Sequence, residues 1–270
     1  MHIQTYTKET MIDSLCRYLD VSEESLLHQI SSAAMSSDIF CQGIKEFVKQ
    51  CRPVKKLDKI LFFHLGRRLN SDINDNGLNL RDLLLNKTAL SDYLASYKIA
   101  FQENNNYIEI YYKGVLQELD LDNYSSTANV ARLKVRLGYY QDRQDYCFNG
   151  FSLKDQLHQN SYYTALFSAP EFISDLAVFL KFPSVLKDYT KNSTYYCYEY
   201  LVPLSEVMFD NNDKLSDNEK VLFLIEKVCL RIYEYNSRYI YDHENPILRL
   251  DDNASMHKEY FVSKEEIMKG

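Results

Sequence analysis

The chain has no tryptophan, and its apolar residues never run for the ~18 positions that a helix needs to cross a bilayer. No signal-peptide pattern opens it, which points to a cytoplasmic protein with no membrane partner. Six cysteines (Cys16, Cys41, Cys51, Cys147, Cys197 and Cys229) lie scattered, with no C-x-x-C pair and no histidine at ligand spacing. Reduced thiols and the absence of a metal site are therefore expected. Missing too are the P-loop, the G-x-G-x-x-G fingerprint and the G-x-S-x-G elbow, so kinase, Rossmann and hydrolase readings have no support. No Asp/Glu/His/Lys cluster recurs at metal spacing, which leaves little for a nuclease. Basic residues are in deficit: 31 Lys and Arg against 38 Asp and Glu give a net charge of −7. That argues against tight, generic binding to nucleic acid or anionic membrane, though not against a local basic patch.

What is abundant is tyrosine. The chain carries 23 Tyr and 14 Phe, and 46% of its 270 residues are hydrophobic, enough for a sizeable core in one large domain or a domain with an appendage. Residues 8–51 read as helices. Ser22 is a candidate N-cap before Leu26, Leu27 and Ile30, and a second helix over roughly 38–51 carries Ile39, Phe40, Ile44, Phe47 and Val48 on one stripe. This N-terminal helical segment, 1–56, is either a scaffold or a partner-binding appendage. After Arg52-Pro53, the run Ile60-Leu61-Phe62-Phe63-His64-Leu65-Gly66 reads as a buried strand ending at a histidine, a glycine and two arginines, Arg67 and Arg68. A helix over 80–94 follows, then two β-rich runs, 107–112 and 115–119, joined through Lys113-Gly114 as a hairpin.

In Val130–Tyr140, Ala131, Leu133, Val135 and Leu137 alternate with Arg132, Lys134 and Arg136, so the spacing predicts a strand with one apolar and one basic face. That basic face is either solvated or a seat for a polyanion, such as a dinucleotide pyrophosphate or a nucleic-acid backbone. Residues 149–182 read as a helical insertion, with Ser168, Pro170 and Glu171 as a helix start in which Glu171 caps. A long helix over about 217–235 opens on the Ser216/Glu219 capping box, and the tail from Tyr241 is charged and mixed.

The stretch that asks most of its surroundings is 195–202. Tyr195, Tyr196, Cys197, Tyr198, Tyr200, Leu201 and Val202 form a β-rich octet around one charge, Glu199, and Pro203 ends it. Both faces of such a strand are apolar, so a carboxylate there needs a partner, a ligand or a proton. The plain alternative is a structural glutamate paired with an arginine. The tract Cys197-Tyr198-Glu199-Tyr200-Leu201-Val202-Pro203 resembles the last core strand of ADP-ribosyltransferases of the diphtheria-toxin and poly-ADP-ribose-polymerase type. In that family a strand glutamate is the catalytic residue of a His–Tyr–Glu signature.

The resemblance extends to His64-Leu65-Gly66 with Asn76-Gly77-Leu78, and to Gly138-Tyr139-Tyr140 with Tyr146-Cys147. It covers roughly 57–210. It implies Glu199, His64 and Tyr140 as catalytic residues converging on one cleft. NAD, the co-substrate, would be held by His64, Gly66, Tyr140 and Tyr146, with Tyr140 and Tyr146 sandwiching the nicotinamide ring. Either Tyr139 or Tyr140 would face the site. Leu65 departs from the family's His-Gly-Ser/Thr, which bears on the amide clamp. Arg132, Lys134 and Arg136 would contact the acceptor. The implied fold is α+β, a mainly antiparallel sheet core at 57–210 between the N-terminal helices and a C-terminal helix and tail, 211–270. The implied function is NAD-dependent ADP-ribosylation of a macromolecule (RNA, DNA or protein) by a bacterial toxin or phage-defence effector, with an antitoxin or regulatory protein as possible partner. The rival expectation is a non-enzymatic interaction protein in which Glu199 is structural.

Overall fold

The computed structural model describes residues 1–36, 40–73, 77–119, 127–140, 145–235 and 245–269. The fold is α+β, and its chain divides into two compact units, each assembled from three separated segments. Residues 1–64, 149–161 and 199–249 make the first; residues 65–148, 162–198 and 250–270 make the second. This differs from the contiguous segments read from the sequence. Two long strands, β1 (Lys59–Leu69) and β6 (Ser193–Pro203), belong to both, β1 leaving the first unit after His64 and β6 entering it at Glu199.

In the first unit, α1 (Lys8–Leu19), α2 (Glu23–Met35) and α3 (Phe40–Gln50) form as their apolar spacing predicts. Thr7 and Ser22 accept hydrogen bonds from the backbone of the first turns of α1 and α2, satisfying N–H groups that the helices leave unpaired. Leu15, Leu26, Ile30, Ile44 and Val48 are buried on their facing sides. The sheet of this unit runs β7 (Met208–Phe209), β8 (Ile247–Arg249), β5 (Asn149–Phe151), β1, β6. Phe63 of β1 registers with Phe151, and Phe151 with Ile247, both pairings antiparallel. The helix α10 (Asp217–Glu234) opens on the expected Ser216/Glu219 box and buries Leu224, Ile225, Val228, Cys229, Leu230 and Ile232. At ~1.5–3 kcal/mol for each fully buried large aliphatic side chain, that stripe outweighs any propensity term in the helix. Lys220, 6% exposed, spends its ammonium on the Leu204 carbonyl and Asp217, both at 3.1 Å.

The second unit holds α4 (Leu80–Leu85) and α5 (Ala89–Ser96), where the sequence suggested one helix. Asn79 and Thr88 each cap a start, and Asn86 adopts an extended conformation that ends the first. A three-stranded antiparallel sheet follows: β2 (Ile99–Asn104), β3 (Tyr107–Tyr112) and β4 (Val115–Gln117). The hairpin expected at Lys113-Gly114 is present, with both residues at positive φ.

The expected basic strand is instead a helix, α6 (Thr127–Arg136). Val130, Leu133 and Leu137 are each at most 1% exposed, a spacing of three and four that fits a helix as well as the period of two fits a strand. Arg132 and Arg136, one turn apart, then share a side on which acids wait. Arg132 bonds Asp175 at 2.7 Å, and Arg136 bonds Glu171 at 3.1 Å and approaches Asp145 at 3.7 Å. Glu171 and Asp175 lie on α8 (Glu171–Phe179), which follows the short α7 (Ser161–Ala165) and precedes α9 (Pro183–Lys191). Pro170 takes the N-cap position of α8 with no side-chain bond, so Glu171 serves as an ion-pair partner and not as the expected cap. The insertion at 149–182 is not wholly helical, since it begins as β5. The charged tail likewise supplies β8 and β9 (Phe261–Glu266), the latter beside β6 in this unit.

Candidate active site around Glu199

Glu199 occupies a central strand and is 7% exposed, among Tyr198, Tyr200 and Val202, each at most 1% exposed. What meets its carboxylate comes from the start of the chain. The Tyr6 hydroxyl donates to Glu199 Oε1 at 2.5 Å, a short charge-assisted bond, and the Tyr6 ring packs edge-on against Phe63 with centroids 5.9 Å apart. Burial first, then the Glu199 contact, push the Tyr6 phenol far above the ordinary tyrosine range, so it is a permanent donor. His2 stands close enough for Glu199 to favour its charged form. Burial, together with the neighbouring amino terminus, Lys59 and Arg17, outweighs that and lowers the imidazole below its usual value. At neutral pH His2 is a neutral base.

Residues 3–5 tie this segment down. Ile3 is 1% exposed, the Thr5 hydroxyl donates to the Ser152 carbonyl at 2.6 Å, and the Thr5 carbonyl accepts from the N–H groups of Lys154 and Asp155. Next along lies a second buried acid. Asp155, 3% exposed, accepts from the Tyr235 hydroxyl, while its Oδ2 meets no donor among the described residues. Burial raises its carboxyl pKa, and the Tyr235 bond and Arg231 oppose that only in part.

His64 does not join Glu199. Phe63 and Glu199 both touch Tyr6, so they share one face of the strand pair. Phe62 and Tyr200 meet edge-on at 6.4 Å on the other, and the period of two puts His64 with Phe62. The His64 Nδ1–H donates to the Asn149 carbonyl at 2.7 Å. The single cleft expected for His64, Tyr140 and Glu199 therefore loses its histidine, because His64 is two positions from Phe62 and so shares its face, while Phe63 takes the face of Glu199.

The other expected site residues, Gly66, Arg132, Lys134, Arg136, Tyr140 and Tyr146, belong to the second unit. Gly66 is buried within β1. Tyr146 is a core residue, 2% exposed, with its hydroxyl directed at the Asn106 carbonyl and its own carbonyl accepting from Leu80 N–H. A Cβ on Gly138 (φ +77°) would stand 2.0 Å from that hydroxyl, so the glycine's positive φ and the buried tyrosine require each other. Tyr140 is 40% exposed, and Tyr139 packs against Tyr107 with centroids 4.5 Å apart and the rings tilted by 43°. The expected Tyr140/Tyr146 sandwich is thus one surface ring and one core ring. Arg132 and Arg136 are held in internal ion pairs, which corrects their reading as an open polyanion face. Asn76 and Gln141–Gln144 lie outside the described residues.

Comparison with protein-family models, curated proteins and solved structures finds no match to this chain. Among the described residues, no group of three or more His, Cys, Asp or Glu side chains could hold a metal ion, and no helix is long and apolar enough to cross a membrane. The residues that sequence reasoning missed are Tyr6 and His2. Both sit before the first helix in a segment that belongs to no helix or strand, with no periodicity to single them out. The one available signal was the cost of burying Glu199, which demanded a donor without saying where in the chain it lay.

Proposed function

We propose that the chain is an NAD-dependent ADP-ribosyltransferase whose reactive carboxylate is Glu199, assisted by Tyr6 and His2 in place of His64 and Tyr140. The observation that carries this reading is the clamped, buried carboxylate: Glu199, 7% exposed on β6, held by the Tyr6 phenol at 2.5 Å. Transfer breaks the bond between nicotinamide and ribose C1′, and the electron pair leaves with the nicotinamide. The ribose becomes oxocarbenium-like, and a fixed negative charge nearby stabilises it more than it stabilises the substrate. The acceptor nucleophile bonds to C1′ and loses a proton, for which neutral His2 is the base at hand. A nucleic acid or protein acceptor, and a role as a toxin or phage-defence effector, extend the same reading.

Nicotinamide release from labelled NAD tests it. Glu199→Gln should lower turnover at least ~10²-fold, the scale for losing one preorganised electrostatic group, with little change in NAD affinity. A folded Gln variant with full activity removes Glu199 from the mechanism.

A second reading, a non-enzymatic interaction protein, rests on a different part of the first unit. In the first unit a groove of about 620 Å³ is lined by Leu19, Val21, His28, Phe47, Cys51 and Arg52 among others, a size that suits a bound group. If neither wild type nor variant releases nicotinamide, the helices bearing this groove become the functional surface and Glu199 a structural residue.

A further inference from the structure

The sheet β2-β3-β4 has one face in the core, where Ile99, Ile108 and Ile110 are each at most 1% exposed. Its other face is organised around a charge. The register pairs Gln102 with Glu109, Asn104 with Tyr107 and Ala100 with Tyr111, and these six side chains share the outer side. Ala100 and Gln102 are exposed and the other four half-buried, so the face is open to solvent among the described residues.

At its centre, Glu109 Oε1 accepts from Asn104 Nδ2 at 2.7 Å and Oε2 accepts from the Tyr111 hydroxyl at 2.9 Å. Asn104 also donates to the Tyr107 hydroxyl at 3.0 Å, and the Tyr139 ring packs at a tilt against one side of the Tyr107 ring. Every donor to the carboxylate is neutral. Those bonds hold its pKa below the usual range, and no lysine or arginine contributes to the shift. A fixed negative charge, bonded only by neutral donors, therefore lies beside Tyr107 and Tyr111 on β3. Each carboxylate oxygen has a second lone pair beyond the bond it already accepts.

That combination is complementary to a flat cation. A guanidinium can stack on a tyrosine face and at the same time donate to a carboxylate, which a compact ammonium does less well. A phosphate backbone would meet repulsion from Glu109, since none of the six side chains paired on this face is basic.

We propose that this face is a docking site for an arginine side chain of a partner polypeptide. The proposal is independent of the chemistry assigned to Glu199. The probe is the peptide acetyl-Gly-Arg-Gly-Arg-Gly-amide, titrated into the full chain by calorimetry and by NMR of labelled tyrosine rings. Saturable binding is expected, with shifts at Tyr107 and Tyr111, and with the lysine analogue several-fold weaker. Glu109→Gln, which keeps the size of the side chain, should weaken binding about 10-fold, and Tyr111→Leu about 5-fold, the scale of one cation–π contact. If both folded variants bind like wild type, the attraction comes from the net charge of the chain and the proposal fails. Absence of arginine-peptide binding, or variant-sensitive binding of a neutral oligosaccharide such as cellohexaose instead, also overturns it. So does concentration-dependent self-association that Tyr111→Leu abolishes, which would make the occupant a second copy of this chain.

Discussion

Tyr6→Phe removes a single oxygen from the first unit. The ring remains, and with it the edge contact to Phe63, so the variant isolates the bond to Glu199. That bond is 2.5 Å long and its acceptor is an ionisable carboxylate only 7% exposed, so water cannot fully replace the lost donor. Hydrogen bonds to charged groups contribute about 1.5–3 kcal/mol, and the buried setting places this one within that range. With an m value of about 3 kcal/mol/M, urea denaturation at pH 7 should show a midpoint lowered by about 0.5–1 M. In a Glu199→Gln background the same change removes a neutral bond of about 0.5–1.5 kcal/mol. The double-mutant cycle should therefore show a coupling of about 1 kcal/mol. A loss below about 0.5 kcal/mol in the wild-type background, with no coupling, would mean that Glu199 is hydrated and the clamp contributes nothing. Glu199 would then not be a preorganised carboxylate.

Three further expectations concern residues with structural duties. Arg67 donates to the carbonyls of Phe167, Thr190 and Ser193 and to the Ser193 hydroxyl, and burial lowers its pKa; Arg67→Met, similar in length, should cost at least about 3 kcal/mol in denaturant stability. A loss within about 0.5 kcal/mol would show that those carbonyls find water. A Cβ on Gly150 would stand 2.5 Å from a Phe62 ring carbon and 2.7 Å from the Phe63 carbonyl, so Gly150→Ala should destabilise by about 1–3 kcal/mol, and a neutral thermal melt would contradict the packing. Asp155 has a raised folded-state pKa, so the native chain holds its proton more tightly than the unfolded chain does; this contribution to stability is present below the unfolded value of about 3.9 and is lost as pH rises through the folded value. Asp155→Asn should flatten that decline in a pH series of urea midpoints, and an unchanged profile would exclude Asp155 as its source.

Much of the secondary structure was legible because its signals are local. The helices before residue 51, the Lys113-Gly114 hairpin and the Ser216/Glu219 start of α10 each rest on spacing or on a cap within four residues. The misreading of 130–140 has an equally local cause, since alternate apolar residues also satisfy a helix when Val130, Leu133 and Leu137 supply the stripe. The burial of Glu199 was readable from its neighbours; its partner was not, because Tyr6 and Glu199 are 193 positions apart. The side of the strand was lost for a subtler reason. The strands bearing His64 and Glu199 were both legible, although β1 runs on to Leu69 past the end expected at His64–Gly66; which residue opposes which depends on register, and register leaves no trace in either strand alone.

The interleaving of the two units bears on how the protein is made. Neither is a continuous stretch, and the first needs residues 199–249 to complete the sheet that its opening residues cover. At about 5–20 residues per second, a ribosome takes on the order of 12–50 s to reach that point. For about 9–36 s of that time, the roughly 180 residues from the end of β1 to residue 249, β1 waits for β6 to complete its pairing, with Phe62 and Phe63 open to anything that binds extended apolar chain. Newly made chain should therefore depend on chaperones more heavily than its length suggests, and truncation before residue 199 should yield an aggregate, not a half-molecule.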